Sequence, residues 1–339
     1  MVEARLWKPL KDGIVQCRLC NHVCRIKPGE RGQCGVRENR DGTLFSMNYG
    51  KVAALNLDPV EKKPLYHFQP GTRTYSFATM GCNLHCTFCQ NWSLSQPPRE
   101  TGRIEGRSMT PEAVVEEALK LKAASISYTY SEPTIFFEFM QDTARLAREA
   151  GLKNIMVSNG FMSRECLDAL APVIDAINVD LKCFTERFYR DISGARLAPV
   201  LENLKYIKKT LGWWLEVTTL LIPGKNDSPE EIDQIARFLA EEVGTDTPWH
   251  ISRFHPDYKM GDVSVTQSDS LMAAYTAGKD KGLKYVYIGN MPGLDMQHTD
   301  CPGCGKQVIN RSGFSATNPA ITDGRCSSCG EIIHGVDMG

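Results

Sequence analysis

Three groups of cysteines carry the most specific chemistry legible in this chain. Cys82, Cys86 and Cys89 stand at C-x3-C-x2-C spacing. Three thiolates so close together can wrap one face of an iron–sulfur cubane. Such clusters usually take four cysteine ligands, so a trio leaves one iron open to a small molecule. A zinc knuckle is the competing reading, but structural zinc takes four ligands and no fourth is nearby. Cys17, Cys20, Cys24 and Cys34 form a second group, C-x2-C-x3-C-x9-C. Four soft ligands suit a closed zinc site, the favoured reading, and would also suit a second iron–sulfur cluster. The third group is Cys301-Pro302-Gly303-Cys304 and Cys326-Ser327-Ser328-Cys329. Two C-x2-C knuckles read as a zinc ribbon; a rubredoxin-like iron would fit the same geometry and serve as an electron entry point. A segment this short builds little core, so bound metal is expected to supply its folding energy. Of the thirteen cysteines only Cys166 and Cys183 fall outside these groups. Both read as small buried apolar side chains, with substrate contact a second reading for Cys183.

The elements that must position the central trio are strands and helices in alternation. Runs rich in β-branched and aromatic residues predict strands over 75–79, 125–130, 154–158, 176–180, 213–221, 249–254 and 285–289. Helices fall between them. One starts at Thr110-Pro111, another at Ser228-Pro229-Glu230-Glu231 with a capping-box pattern, and a third covers about 134–150 and stops at Gly151. This alternation implies parallel strands joined by right-handed crossovers, in a sheet that closes fully or in part. Functional groups then belong at the carboxyl ends of the strands. Glu132, Ser158-Asn159, Asp180-Leu181-Lys182 and His255 each lie just past a predicted strand. Three zones follow: a Cys-rich segment over 1–74, the alternating core over 75–293 and a ribbon segment over 294–339, with Gly71 and the Met291-Pro292-Gly293 turn as boundaries.

Cys82 to Cys89, with Phe88 as the aromatic before the last cysteine, resembles the signature of the radical S-adenosylmethionine (SAM) superfamily. Asp58-Pro59-Val60-Glu61-Lys62-Lys63-Pro64-Leu65-Tyr66-His67-Phe68, Cys89-Gln90-Asn91-Trp92 and Tyr128-Thr129-Tyr130-Ser131-Glu132-Pro133-Thr134 narrow the resemblance. They are similar to the pyruvate formate-lyase activating enzyme branch, and most of all to the radical SAM enzyme of the AmmeMemoRadiSam system. The resemblance implies an α/β fold, a partial (β/α)6 TIM-like barrel with small Cys-rich metal-binding segments at both ends. It implies a 4Fe-4S cluster on Cys82, Cys86 and Cys89 that cleaves SAM reductively. The resulting 5′-deoxyadenosyl radical abstracts hydrogen from a substrate that these motifs do not specify. Phe88, Asn91, Glu132, Asn159, Asp180, Lys182 and His255 are the implied cofactor-binding residues. Glu132 takes the place of a Gly-Gly-Glu carboxylate that holds the SAM ammonium, although Tyr130 and Ser131 replace the glycines. Capping the next helix is its other reading. Asn159 follows Val157, where related enzymes carry a cation-binding aspartate, so that cation site is not expected here. Asp180 and Lys182 match an Asp-x-Lys motif, with an ordinary ion pair as the alternative. His255 falls near the nucleoside. His250 reads as structural, Arg253 as a salt-bridge partner, and Ile222-Pro223-Gly224 with Asp227 as a turn near adenine.

Composition bounds the rest. A net charge of −1 and no Arg/Lys stripe speak against a nucleic-acid-binding module, the reading from another class that the knuckles invite. Met1-Val2-Glu3-Ala4-Arg5 opens no signal peptide, and no apolar run approaches the ~18 residues of a membrane helix. A soluble cytoplasmic protein is expected. Its expected partners are a reductase or a flavodoxin- or ferredoxin-type electron donor, with Memo-like and AMMECR1-like proteins of the same pathway. Activation of a glycyl radical enzyme is the alternative function.

Overall fold

The structure, a computed structural model, describes residues 1–291, 296–318 and 320–339. Pro292 and Gly293 of the proposed boundary turn lie outside the described residues. Eight strands carry the core: β1 (Lys51–Pro59), β2 (Arg73–Thr79), β3 (Ser125–Tyr128), β4 (Lys153–Ser158), β5 (Ala176–Asp180), β6 (Trp214–Leu221), β7 (Trp249–Arg253) and β8 (Val286–Gly289). From β2 to β8 they pair in sequence order, each parallel to the next. The helices between them are α1 (Pro111–Lys120), α2 (Phe137–Glu149), α3 (Arg164–Leu170), α4 (Leu197–Tyr206), α5 (Pro229–Phe238) and α6 (Ser268–Asp280). This is the α/β alternation of a partial barrel: six strand–helix units and a closing strand. Antiparallel β1 extends the β2 edge, and Arg107–Ser108 pairs outside it. Among the described residues β8 does not pair back to that edge. The strand β1 lies in the zone that the sequence assigns to the Cys-rich segment, because its pairing with β2 is not visible in local pattern.

Two helix starts form as their sequences dictate. Thr110 accepts from the Ala113 amide and Ser228 from the Glu231 amide. Rather than closing the expected capping box, the Glu231 carboxylate accepts the Phe184 amide, tying the loop after β5 to α5. The expected helix over 134–150 begins as a 3-10 turn, Pro133–Phe136, before α2.

The segment between β1 and β2 turns inward and plugs the barrel. Val60, Leu65 and Phe68 pack on Ile155 and on Ala176, the first residue of β5. Alternate residues of a strand share a face, and Glu216 of β6 points inward beneath the plug. Its carboxylate accepts from the Tyr66 and His67 amides (3.0 and 2.7 Å), Trp214 Nε1 (2.9 Å) and His250 Nε2 (2.6 Å). Burial works against its charge, but His250 and His67 outweigh it and hold the carboxyl below its usual range.

The carboxy-terminal ribbon docks on the same plug. Val336 bridges to Phe68, and the Val336 amide donates to the His67 carbonyl. Arg311, in the strand Gln307–Ser312, donates to the Tyr66 carbonyl (2.7 Å) and stacks 4.1 Å over the Tyr66 ring. The ribbon's small core, with Val308, Ile309, Ile321 and Ile333, includes Cys301 and Cys326. The amino-terminal segment forms two three-stranded antiparallel sheets. It is fastened to the barrel by a fully buried ion pair between Arg37 and Glu138 of α2.

Candidate functional site

The carboxyl ends of the parallel strands open into a cavity of about 1340 Å³. Ordinary ligand pockets fall in the range of about 300–1,000 Å³, so this one has room for more than one small molecule. Its walls include Cys82, Cys86 and Cys89 and all seven expected cofactor residues, Phe88, Asn91, Glu132, Asn159, Asp180, Lys182 and His255. Arg253 is not among its lining residues; its Nε donates to the Thr266 carbonyl. Cys183 is fully buried, with its thiol on the Thr185 carbonyl (3.3 Å).

The cysteine loop follows β2 directly. Gly81 has φ +116, and a Cβ there would lie 2.8 Å from Val36 Cγ1, so only glycine fits. Cys82 Sγ accepts from the Leu84 amide (3.4 Å), and Cys89 Sγ lies 3.2 Å from Ser95 Oγ. Burial, with Glu132 and Cys86 alongside, pushes the Cys82 thiol up. Three thiols that share one cavity wall and are spared disulfide bonding fit a metal cluster held from one side.

Two of the expected residues also hold the site together. Glu132 is 1% exposed, and its carboxylate accepts from the Thr134 amide and hydroxyl, the Ser158 hydroxyl and the Asn159 amide. Three of these bonds fall on Oε1 and one on Oε2, so Glu132 caps the 3-10 turn and ties β3 to β4, while Oε2 keeps acceptor capacity at the cavity wall. Asn159 donates to Asn83 Oδ1 (2.8 Å), inside the cysteine loop, and accepts the Phe161 amide. It braces that loop. Asp180 and Lys182 are paired at 3.0 Å, within the cavity wall. Burial opposes the Lys182 charge, but Asp180 and Cys86 hold it protonated. His255 Nδ1 lies 3.1 Å from Gln90 Nε2, linking the cysteine loop to the end of β7.

Several contributors were not singled out as site residues. Asn226 donates to the Lys182 carbonyl (2.6 Å) and accepts the Ile222 amide (2.6 Å), joining the turn after β6 to the Asp180–Lys182 loop. Asp58 holds both Lys62 (3.0 Å) and Lys63 (2.6 Å) and accepts the Tyr130 hydroxyl. Tyr130 carries φ +63, a conformation a glycine would adopt freely. Its anchored hydroxyl therefore keeps a glycine-like turn without glycine. Arg311, Ser312, Gly313 and Phe314 of the ribbon also line the cavity. Asp58 and the lysines lie in the 58–68 segment that carries the resemblance, and Asn226 lies in the Ile222–Asp227 turn, but no local pattern points to the ribbon tip.

At the ribbon, Sγ atoms of Cys301 and Cys329 lie 3.5 Å apart, and those of Cys304 and Cys326 3.8 Å. All four lie within 4.8 Å of one another. A tetrahedron of sulfurs about 2.3 Å from one ion has edges near these values. Gly305 and Gly330, at φ +72 and +79, provide the turns behind the two knuckles. The donors therefore fit one tetrahedral metal ion. At the amino-terminal segment, Cys17 and Cys34 are buried and Cys20 and Cys24 half-buried, with Arg37 Nη1 3.5 Å from Cys17 Sγ.

Parallel strands in sequence order, with a C-x3-C-x2-C loop after the first of them at their carboxyl ends, define an enzyme class built to hold a cluster and a small molecule together. Residues 77–239 match the Radical SAM superfamily, and the chain belongs to it. It is 47% identical over 336 residues to an uncharacterized protein of Methanocaldococcus jannaschii, covering 98% of this chain and 99% of that one. A putative glycyl-radical enzyme activating enzyme of the same organism is 26% identical over 211 residues, covering 61% of this chain and 76% of it. Among solved structures, Streptococcus suis SuiB bound to S-adenosylmethionine aligns with a TM-score of 0.51 at 15% identity, covering 69% of this chain and 53% of that one. The superfamily implies a 4Fe-4S cluster and SAM, and members of it are enzymes. Among the described residues no helix is long and apolar enough to cross a membrane.

Proposed function

We propose that this chain cleaves SAM reductively at a cluster on Cys82, Cys86 and Cys89 and uses the radical to abstract hydrogen from a substrate in the same cavity. The observation that carries this reading is the shared wall: the three thiols line one cavity with groups from the carboxyl ends of all seven parallel strands. When bound, the cluster and SAM supply an electron and a 5′-deoxyadenosyl radical. The chain's own residues supply placement. Asn159 and Asn83 fix the cysteine loop against β4. Lys182, held charged by Asp180, is the cation available to the SAM carboxylate. Phe88, Asn91 and His255 line the same cavity and would bound the nucleoside. Glu132 acts through Asn159 as a positioning residue. The plug closes the amino end of the barrel and excludes water from that side.

Direct modification of a substrate, in a pathway with Memo-like and AMMECR1-like partners, is the form we favour. Activation of a glycyl radical enzyme is supported by the likeness to the activating enzyme above. In either case a flavodoxin- or ferredoxin-type protein or a reductase supplies the electron, and cytoplasmic residence follows from the need for that donor. The ribbon holds one zinc or iron ion. The test is anaerobic reconstitution with iron and sulfide, reduction, and addition of SAM. Formation of 5′-deoxyadenosine that disappears in Cys86→Ala is expected. A cluster-loaded chain that leaves SAM intact overturns the proposal.

A further inference from the structure

His250 is tied at one ring nitrogen and unspent at the other. Its Nε2 lies 2.6 Å from Glu216 Oε2, which also accepts the Tyr66 amide. Glu216 Oε1 accepts the His67 amide and Trp214 Nε1. Two donors on each oxygen fill the acceptor sites of this carboxylate. Nε2 therefore carries the proton in the bond to Glu216, and Nδ1 is the basic nitrogen. Among the described residues Nδ1 has no hydrogen-bond partner, and His250 lines the cavity. The Tyr66 hydroxyl is likewise without a partner among the described residues, and Tyr66 lines the same cavity. The two rings meet edge to face, with centroids 4.7 Å apart. His250 is 5% exposed and Tyr66 6%. Polar atoms set in a buried wall and left unspent by the protein are what fixes a ligand's orientation in a pocket.

Strand register sets the height of this pair in the barrel. Asp180 of β5 pairs with Thr218 of β6, Thr218 with His250 of β7, and His250 with Tyr287 of β8. The four occupy one layer. Neighbouring strands lie about 4.8 Å apart, so the His250 backbone is about 10 Å from that of Asp180, two strands away. Asp180 and Thr218 line the cavity as well. His250 is thus level with the Asp180–Lys182 pair, across the cavity from neither the mouth nor the floor. Its neighbours hold it still: Tyr287 stacks on it at 5.3 Å, and Arg311 covers Tyr66 at 4.1 Å. Burial pushes the Tyr66 hydroxyl up to about 12, although Arg311 opposes this, so the hydroxyl keeps its proton and is a donor.

We propose that His250, oriented by Glu216, is a general base for a hydroxyl group of the substrate, and that Tyr66 donates to the same oxygen. The substrate is then a compound that carries a hydroxyl on the carbon that loses its hydrogen atom. A radical on that carbon makes the attached hydroxyl a stronger acid, so the base is needed after the abstraction. In the step assigned to His250 the substrate O–H bond breaks, its electron pair stays on oxygen, and the proton bonds to Nδ1. Nothing is oxidised or reduced in this step. The imidazolium that forms faces the Glu216 carboxylate through Nε2, which stabilises it. The step rests on the radical reading given above, but the base and its partner hydroxyl can be tested without SAM.

Diethyl pyrocarbonate acylates an imidazole nitrogen that is unprotonated and accessible, so it reads the site in the reconstituted full chain without any variant. Peptide mapping at neutral pH is expected to find His250 acylated, as exposed His255 is. His67, bonded at both nitrogens, is expected to stay unmodified. An unmodified His250 overturns the site. The base itself is read with 4-nitrophenol, an acidic hydroxyl compound whose phenolate absorbs visible light. Saturable binding is expected, with at least about twofold more phenolate than in the free probe at the same pH. His250→Gln keeps an amide N–H for Glu216 and removes the base, so the gain of phenolate is expected to vanish. Tyr66→Phe is expected to weaken binding of the probe by about tenfold, the worth of one hydrogen bond. No saturable binding in the parent chain, or a gain that persists in His250→Gln, overturns the proposal. A chain that ionises the probe yet forms no 5′-deoxyadenosine from SAM keeps the base and sinks the reading of the Cys82 loop instead.

Discussion

Removing the charge of Arg37 should loosen the amino-terminal segment from the barrel. Arg37 and Glu138 are each 1% exposed, and their ion pair joins the strand Arg37–Arg40 to α2. Arg37 also donates to the Arg5 carbonyl at 2.9 Å, and Glu138 accepts the Arg5 amide at 2.7 Å. Burial acts against the Arg37 charge, but Glu138 and Cys17 keep it protonated. In Arg37→Met the Glu138 carboxylate stays buried with only the Arg5 amide on Oε1 as partner, because Oε2 accepts no hydrogen bond. Stranding one member of a buried pair costs about 3–5 kcal/mol. Arg37→Met/Glu138→Gln removes both charges and leaves an acceptor for Arg5. Its cost should fall to that of a lost neutral hydrogen bond, about 1 kcal/mol. The assay is guanidinium unfolding of the metal-loaded chain, followed by circular dichroism and by the visible absorbance of the iron. The two probes separate loss of the amino-terminal segment from loss of the barrel. A single variant within about 1 kcal/mol of the parent refutes the reasoning, as does a double variant no more stable than the single.

Three further outcomes are expected. Lys182→Met should weaken SAM binding about tenfold or more, the worth of one charge-assisted hydrogen bond, with iron content unchanged; equilibrium dialysis with labelled SAM checks both. His67 donates from Nδ1 to the His334 carbonyl and accepts the Tyr287 hydroxyl at Nε2, and burial lowers its pKa from 6.5 to about 4. Its neutral form is the folded form, so its contribution is complete above pH 6.5 and is lost as pH falls toward 4. The loss should reach roughly 2 kcal/mol at pH 5, and His67→Gln should flatten that slope in unfolding curves taken between pH 7 and pH 5. Cys301→Ser/Cys326→Ser should remove the ribbon ion and, with it, the fold of the hairpin that carries Arg311 and Phe314. Amide hydrogen exchange over 307–317 should accelerate by roughly a hundredfold or more, and unchanged exchange would show that the hairpin stands without metal.

The sequence by itself determined the spacing of the chemistry and the order of the elements. Both are local: C-x3-C-x2-C is complete within one loop, and strand runs with capped helices between them read directly as parallel pairing. The carboxyl-end rule then placed Glu132, Asn159, Asp180, Lys182 and His255 around one mouth, because a strand's end is fixed by its own residues. What each of those groups does there was decided by partners distant in the chain. Glu132 spends its carboxylate on Ser158 and Asn159, a choice set by the pairing of β3 with β4. The Asp58 motif proved to belong to a plug whose meaning depends on Glu216, about 150 residues away. Nor could any periodicity show that Arg311 reaches Tyr66, or that Cys34 lies against Gly81. Hydrogen-bond satisfaction and close packing are properties of the folded whole, whereas spacing and alternation belong to the chain.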